Sequence, residues 1–410
     1  MNAPRPSLRS LDDALAELLS HAQVLAGLEQ VATFDADGRV LAQDVVSALQ
    51  VPPQDNSSMD GYAVRVADIA QPGARVQVTQ RIPAGGVGTE VLPGTVARIF
   101  TGAPIPPGAD AVVMQEDCVP VADSADLRVD VVPARGQWIR RAGEDVTLGA
   151  TVLAAGQRLH PAALGLAASI GMATLPVRPR PRVALFSTGD ELVMPGERAP
   201  ADMPPGAIYN SNRFFLRSLL QRLGCVVSDL GIVPDQRAAT IDALRTAALH
   251  HDLILTSGGV SVGEEDHVKP AVAELGRLDL WQIAIKPGKP FAYGRIDAAH
   301  FMGLPGNPVS SFVTFLLLVR PFLLALQGAQ DLAVPTLEMR ADFAWPRADR
   351  RREFLRVRRN ARGGLDLFPN QSSGVLTSVV WGDGLVDNPP GCTIAAGDRV
   401  RFLALSDLVP

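Results

Sequence analysis

Cysteine is nearly missing from this chain. The three present, Cys118, Cys225 and Cys392, lie far apart, with no CxxC pair and no zinc-ligand spacing. Their scarcity excludes a disulfide framework and predicts a reducing, cytoplasmic setting. An apolar signal core is lacking at the N-terminus. The longest apolar run, around Phe312–Leu326, is broken by Arg320 and Pro321, so it reads as a buried helix and not a membrane span. Excess positive charge is lacking as well: a formal net charge of −5 argues against a nucleic-acid binder. No GxSxG elbow, no Ser-His-Asp motif and no GxxxxGKS/T phosphate loop occurs.

What is present is bulk and punctuation. A chain of 410 residues exceeds one hydrophobic core, and 37 Gly with 33 Pro imply many turns. Residues 7–28 show helical periodicity, with Ser10 placed to cap and Asp12 and Asp13 in the first turn. Residues 45–150 alternate short Val-rich runs with Pro-Gly turns and read as β-rich. From 182, strand-like runs (Val183–Ser187, Cys225–Val233, Asp252–Thr256) alternate with helix-like runs (Asn212–Leu223, Arg237–His250). That rhythm predicts a parallel sheet covered by helices. Beyond Pro335 the pattern is β-like again, with strands near 337–345, 353–359 and 398–405.

The segment TSGGVSVGEED at 256–266 concentrates the chemistry. An apolar strand delivers Ser257, Gly258, Gly259 and Ser261, small residues whose backbone can approach an anion. Three carboxylates follow, Glu264, Glu265 and Asp266, and carboxylates at the loop's end can hold a cation. STGDEL at 187–192 and GIVPD at 231–235 also follow strands, the first carrying Asp190 and Glu191 and the second Asp235. Ligands of open parallel sheets bind beyond the strands' carboxyl ends, so acids on three strand ends point to one site. IKPGKPFAYG sets Lys286 and Lys289 on a tight turn, either an oxyanion trap or a solvated turn. LPGNPVSS opens a helix at Pro308 and brings Ser310 and Ser311. The arginine run at 351–357 lacks interleaved aromatics, so a nucleic-acid patch is disfavoured.

Eight motifs in this order, DNSSMDGYAV, RIFTGAPIPPGADAVVMQE, RRAGEDV, STGDEL, IYNSNRFFL, TSGGVSVGEED, IKPGKPFAYG and LPGNPVSS, resemble the MoeA family, molybdopterin molybdenumtransferases related to the gephyrin C-terminal domain. The resemblance implies a multidomain α/β and β fold. A discontinuous helical dimerisation domain would span 1–45 and 147–178, with a β-rich domain inserted at 46–146. A molybdopterin-binding α/β domain of three layers would span 179–330, and a β-barrel-like domain 331–410. It also implies the activity: molybdenum from molybdate enters adenylylated molybdopterin, with Mg²⁺-dependent hydrolysis of the phosphoanhydride and release of AMP.

The implied catalytic and metal-binding residues are Glu191, Asp235 and Asp266. Substrate binding would fall to Asp60, Thr101, Asp145, Ser257, Gly258, Gly259, Ser261, Lys286, Lys289, Ser310, Arg351, Ser372 and Ser373, with Asp60 and Thr101 reaching across a homodimer. Candidate protein partners are a molybdopterin adenylyltransferase and molybdoenzymes; neither nucleic acid nor membrane is expected. Gly374 departs from the arginine of gephyrin-like chains. The soft dithiolene of the pterin would ligate the metal itself, which agrees with the scarcity of cysteine. An adenylyltransferase and a gephyrin-like scaffold are the alternatives; the flanking domains and the intact acids and lysines weigh against them.

Overall fold

A computed structural model describes residues 8–259 and 267–409. Its central sheet runs, in space, Val226–Val233, Arg182–Thr188, Leu253–Ser257, Ala299–Leu304, Pro290–Ile296 and Arg277–Gln282. The first four strands are parallel. The βαβ rhythm implies a wholly parallel sheet, but the last two strands are antiparallel. Their connections are too short to carry a crossover helix, so the chain doubles back.

Side-chain alternation sets the three layers. Val183, Leu185, Leu253 and Leu255 face a core shared with the helices Asn212–Arg222 and 308–326. Ala184, Phe186 and Ile254 face the helices Arg237–His250 and Val268–Leu275 on the other side. The apolar helix Pro308–Leu326 is 94% buried over its most hydrophobic stretch, as a core helix is. It widens to a π turn at Phe315–Val319, just before Pro321, which has no amide to donate to the preceding turn.

The first helix is Leu11–Ser20, capped by Ser10, whose Oγ accepts from the Asp13 amide at 3.1 Å. It is shorter than the sequence periodicity predicts, because the chain turns to form the strand Glu29–Ala32, which pairs with Thr174–Val177. The helix itself packs through Leu11, Ala14 and Leu18 on the α/β core. Val45–Val46 pairs with Thr151–Leu153, and Leu41, Val45, Leu153, Ala163 and Leu175 close one small core from these two distant segments. Between them lies a six-stranded sheet, from Ala111–Met114 at one edge to Cys118–Pro120 at the other, with apolar clusters on both faces.

The C-terminal strands close on themselves. Arg352–Arg359 pairs with Gly364–Leu367, which leads through Leu337–Ala341, Arg399–Ala404 and Gly384–Asn388 back to Arg352–Arg359, a five-stranded barrel. A short strand, Ile285–Lys286, adds in parallel to Arg352–Arg359 and ties the barrel to the α/β layer.

Candidate functional site

The chain leaves the strand Arg182–Thr188 to one side, for Val226–Val233, and then crosses to Leu253–Ser257 on the other. This reversal of strand order opens a crevice at the carboxyl ends of 182–188 and 253–257. A cavity of about 580 Å³ lies there, walled by Thr188, Glu191, Asn210, Asn212, Ser257 and Gly258, and by Gly306, Asn307 and Pro308 at the start of the buried helix.

Two glycines make the crevice possible. Gly258 has φ +93°, and a Cβ on it would stand 2.8 Å from the Thr188 carbonyl oxygen. Gly259 has φ +66°, and its Cβ would meet Val268 Cγ2 at 2.5 Å. Neither position accepts a side chain. Asn212, buried at the first turn of its helix, donates through Nδ2 to Ser257 Oγ and to the Gly306 carbonyl, both at 2.7 Å. One side chain thereby fixes the spacing between the strand end and the Gly306–Asn307 loop. Asn210 is only 2% exposed, yet its Nδ2 has no partner among the described residues. Ser187 Oγ and Thr256 Oγ1 at the strand ends are likewise unpaired. Such orphans are uncommon in folded proteins and cluster where a polar ligand binds.

The barrel supplies another wall. The Val309 amide donates to the Ser373 carbonyl at 2.9 Å, and Gly374 faces the cavity, with open space where its Cβ would be. Ser372 is exposed; its carbonyl accepts from Arg356 Nη2 at 3.2 Å, and its amide donates to Asn370 Oδ1 at 3.0 Å. Arg356 is 1% exposed, also donates to Ser378 Oγ and the Phe354 carbonyl, and is pushed down to about 10 by burial.

Lys286 and Arg351 are brought together by carboxylates. Lys286 Nζ lies 2.9 Å from Glu353 Oε1 and 3.3 Å from Asp349 Oδ2. Arg351 donates to Asp349 through Nε at 3.0 Å and Nη2 at 2.8 Å. The Arg351 guanidinium holds the Asp349 carboxyl far below the usual range and is itself pushed up by that bond. Glu353, 1% exposed, also accepts from Trp345 Nε1 at 2.8 Å. Lys289 is exposed, with its carbonyl accepting from the Ile283 amide at 2.8 Å. Ser310 is buried against the Pro287-Gly288 turn.

The remaining acids are spread out. Glu191 is exposed on the cavity wall, its carboxylate folded back over Gly189. Asp235 is half-buried between the strand Val226–Val233 and the helix Arg237–His250. Asp60 Oδ1 accepts from the Thr101 amide at 2.8 Å and from its hydroxyl at 2.9 Å, bonds that hold the carboxyl below its ordinary range. This pair is exposed on the β-rich unit and does not line the cavity, and Asp145 is exposed with its amide bonded to the Val51 carbonyl. Asp266 and Ser261 lie outside the described residues. Among the described residues no three His, Cys, Asp or Glu side chains gather as a metal site.

Sequence reasoning missed Asn210, Asn212, Asp349 and Glu353 as site residues. The first two sit in the quoted IYNSNRFFL, where small polar residues before a helix were the available signal.

Three family descriptions match in chain order: the MoeA N-terminal region (domain I and II) over 9–171, a probable molybdopterin binding domain over 184–325, and the MoeA C-terminal region (domain IV) over 338–405. A molybdopterin molybdenumtransferase of Haemophilus influenzae is 43% identical over 80% of both chains. Molybdopterin molybdenumtransferase 2 of Mycobacterium tuberculosis is 38% identical over 90% of this chain and 93% of its own. A molybdopterin biosynthesis moeA protein from Pyrococcus horikoshii has a similar structure, with a TM-score of 0.84 at 29% identity, over 97% of this chain and all of that one.

Proposed function

Since the chain belongs to the MoeA family and is a molybdopterin molybdenumtransferase of molybdenum cofactor biosynthesis, we propose how it works: it transfers molybdenum from molybdate to adenylylated molybdopterin, with hydrolysis of the phosphoanhydride and loss of AMP. The observation that carries the reading is the cavity at the strand-order reversal, where Gly258 bares its backbone and Asn210 offers an unpartnered amide. Both suit a phosphate-bearing ligand.

The chain's residues divide the work. The backbone at Gly258 and Gly259 and Asn210 Nδ2 receive the phosphates and the nucleotide. Lys286 and Arg351, with Lys289 and the hydroxyls of Ser310, Ser372 and Ser373, take the tetrahedral molybdate, whose hard oxygens suit ammonium and guanidinium donors. Asp60 and Thr101 approach the pterin from the second subunit of a homodimer, and Asp145 adds a further substrate contact. Glu191, Asp235 and Asp266, carboxylates that follow three strands in the sequence and whose hard oxygens suit Mg²⁺, would be the residues that hold it. When bound, that ion supplies charge neutralisation to the phosphoanhydride and lowers the pKa of a water. The same reading divides the chain into 1–45 with 147–178, 46–146, 179–330 and 331–410.

The test mixes purified protein with Mg²⁺, adenylylated molybdopterin and molybdate, and follows AMP. Release must rise when molybdate is added and fall in Lys286→Met and Arg351→Ala. AMP release indifferent to molybdate sinks the reading.

A further inference from the structure

The two cations given to molybdate above are already engaged. Arg351 directs Nε, Nη2 and its own amide at Asp349, and Lys286 reaches the same carboxylate at 3.3 Å. Glu353 balances Lys286 from beneath. Two cations therefore face two carboxylates, and the cluster carries no net charge. The carboxylates differ in freedom. Glu353 is 1% exposed and held by Lys286, Trp345 and the Asn388 side chain, so it is a fixed counter-ion. Asp349 keeps 22% of its side chain exposed, lies on the loop between Trp345 and the strand Arg352–Arg359, and has Arg351 and Lys286 as its side-chain partners among the described residues.

We infer that Asp349 is a built-in competitor for the oxyanion: it occupies the Lys286–Arg351 cation pair until a tetrahedral dianion displaces it. The inference rests on the assignment of molybdate to these two residues and adds a selectivity device to it. A carboxylate and an oxyanion compete for the same donors, because a guanidinium fork satisfies one planar or tetrahedral acceptor pair at a time. While Asp349 is seated, an arriving anion gains little net attraction. Once it swings out, the site carries one net positive charge and all three Arg351 donors are released. Monoanions such as chloride offer too little charge to exchange places with it, whereas a dianion gains from both cations together. Asp349 is a specificity residue acting through Arg351 and Lys286, and needs no contact with the reacting atoms.

The experiment measures molybdate binding to the full-length protein by equilibrium dialysis across a series of chloride concentrations, for the wild type, Asp349→Asn and Asp349→Ser. The asparagine is near-isosteric but uncharged; the serine removes the acceptor pair altogether, so the two variants guard each other against a local folding defect. Both variants should bind molybdate about two- to fivefold more tightly at low salt, the range expected for removing a partly exposed ion-pair competitor. Both should also show a steeper loss of affinity with salt, and inhibition by chloride that the wild type resists. A purely structural role for Asp349 predicts weaker binding with the wild-type salt slope, and that outcome overturns the inference. If Arg351→Ala and Lys286→Met leave molybdate binding untouched, the oxyanion assignment itself fails. If those two variants lose binding while Asp349→Asn and Asp349→Ser do not gain it, the assignment stands and only the competitor is refuted.

Discussion

Gly288 and Thr314 are so close that a Cβ on the glycine would stand 2.4 Å from the threonine Oγ1. The glycine also sits at φ +113°, a region side-chain-bearing residues avoid. This contact seats the Lys286–Lys289 turn on the buried helix. Gly288→Ala should therefore destabilise the protein by about 1–3 kcal/mol, read as a lower urea midpoint. Adding Thr314→Ala should recover the steric part and leave the conformational part. A single variant as stable as the wild type would mean the turn is not locked here.

Asn212 joins two walls of the cavity through one amide. Asn212→Ala strands Ser257 Oγ in a buried setting and removes the donor to the part-buried Gly306 carbonyl, with an expected loss of about 1–3 kcal/mol. Asn212→Asp should also be destabilising: the Ser257 hydroxyl can turn to donate to the carboxylate, but the Gly306 carbonyl then faces an acceptor with no proton to give. Urea denaturation of both variants checks this, and ligand binding should fall alongside stability.

His300 makes stability depend on pH. Burial pushes its imidazole down to about 4, with Arg295 and His21 adding to the shift. Its Nδ1 shares a hydrogen bond of 2.9 Å with the Tyr293 hydroxyl, and burial keeps the ring neutral in the folded state. The unfolded chain takes up a proton near pH 6.5 while the folded chain does not. The contribution of His300 is thus complete above 6.5, is lost as the pH falls towards 4, and then levels off. The loss attributable to this residue is about 3 kcal/mol. Unfolding midpoints from pH 7 to 4 should fall less steeply in His300→Gln than in the wild type; parallel slopes would contradict it.

Glu191 is exposed on the cavity wall, so Glu191→Gln should leave the unfolding midpoint unchanged. Under the proposed mechanism it should lower molybdate-stimulated AMP release by at least about 100-fold. Unchanged turnover in a folded variant would remove Glu191 from the catalytic set.

Local features were legible in the sequence. Ser10 announced its cap, Pro308 its helix start, and Arg237–His250 its full length. The alternation of Val183 and Leu185 with Ala184 and Phe186 belongs to a strand buried on both faces. Contacts between distant segments were not legible. The pairing of Glu29–Ala32 with Thr174–Val177 leaves no local pattern, and a four-residue strand such as Gly364–Leu367 is too short to show a period. Lys286 stood out as one of two lysines on a tight turn, and Arg351 through its arginine run and the family resemblance. The motifs could not show Asp349 and Glu353 as the partners, because ion pairing is decided by side-chain reach in three dimensions.

The short strand Ile285–Lys286 has a mechanical consequence. It is hydrogen-bonded into the barrel beside Arg352 and Glu353, yet its chain continues into the α/β layer at Pro290. Any tilt of the barrel drags Lys286 with it, and the separation between Lys286 and Arg351 is preserved through the swing. The two charges behave as the paired jaws of a clamp mounted on one arm. Their grip is set within the barrel, and their position against the α/β layer is set by the locked Pro287-Gly288 turn.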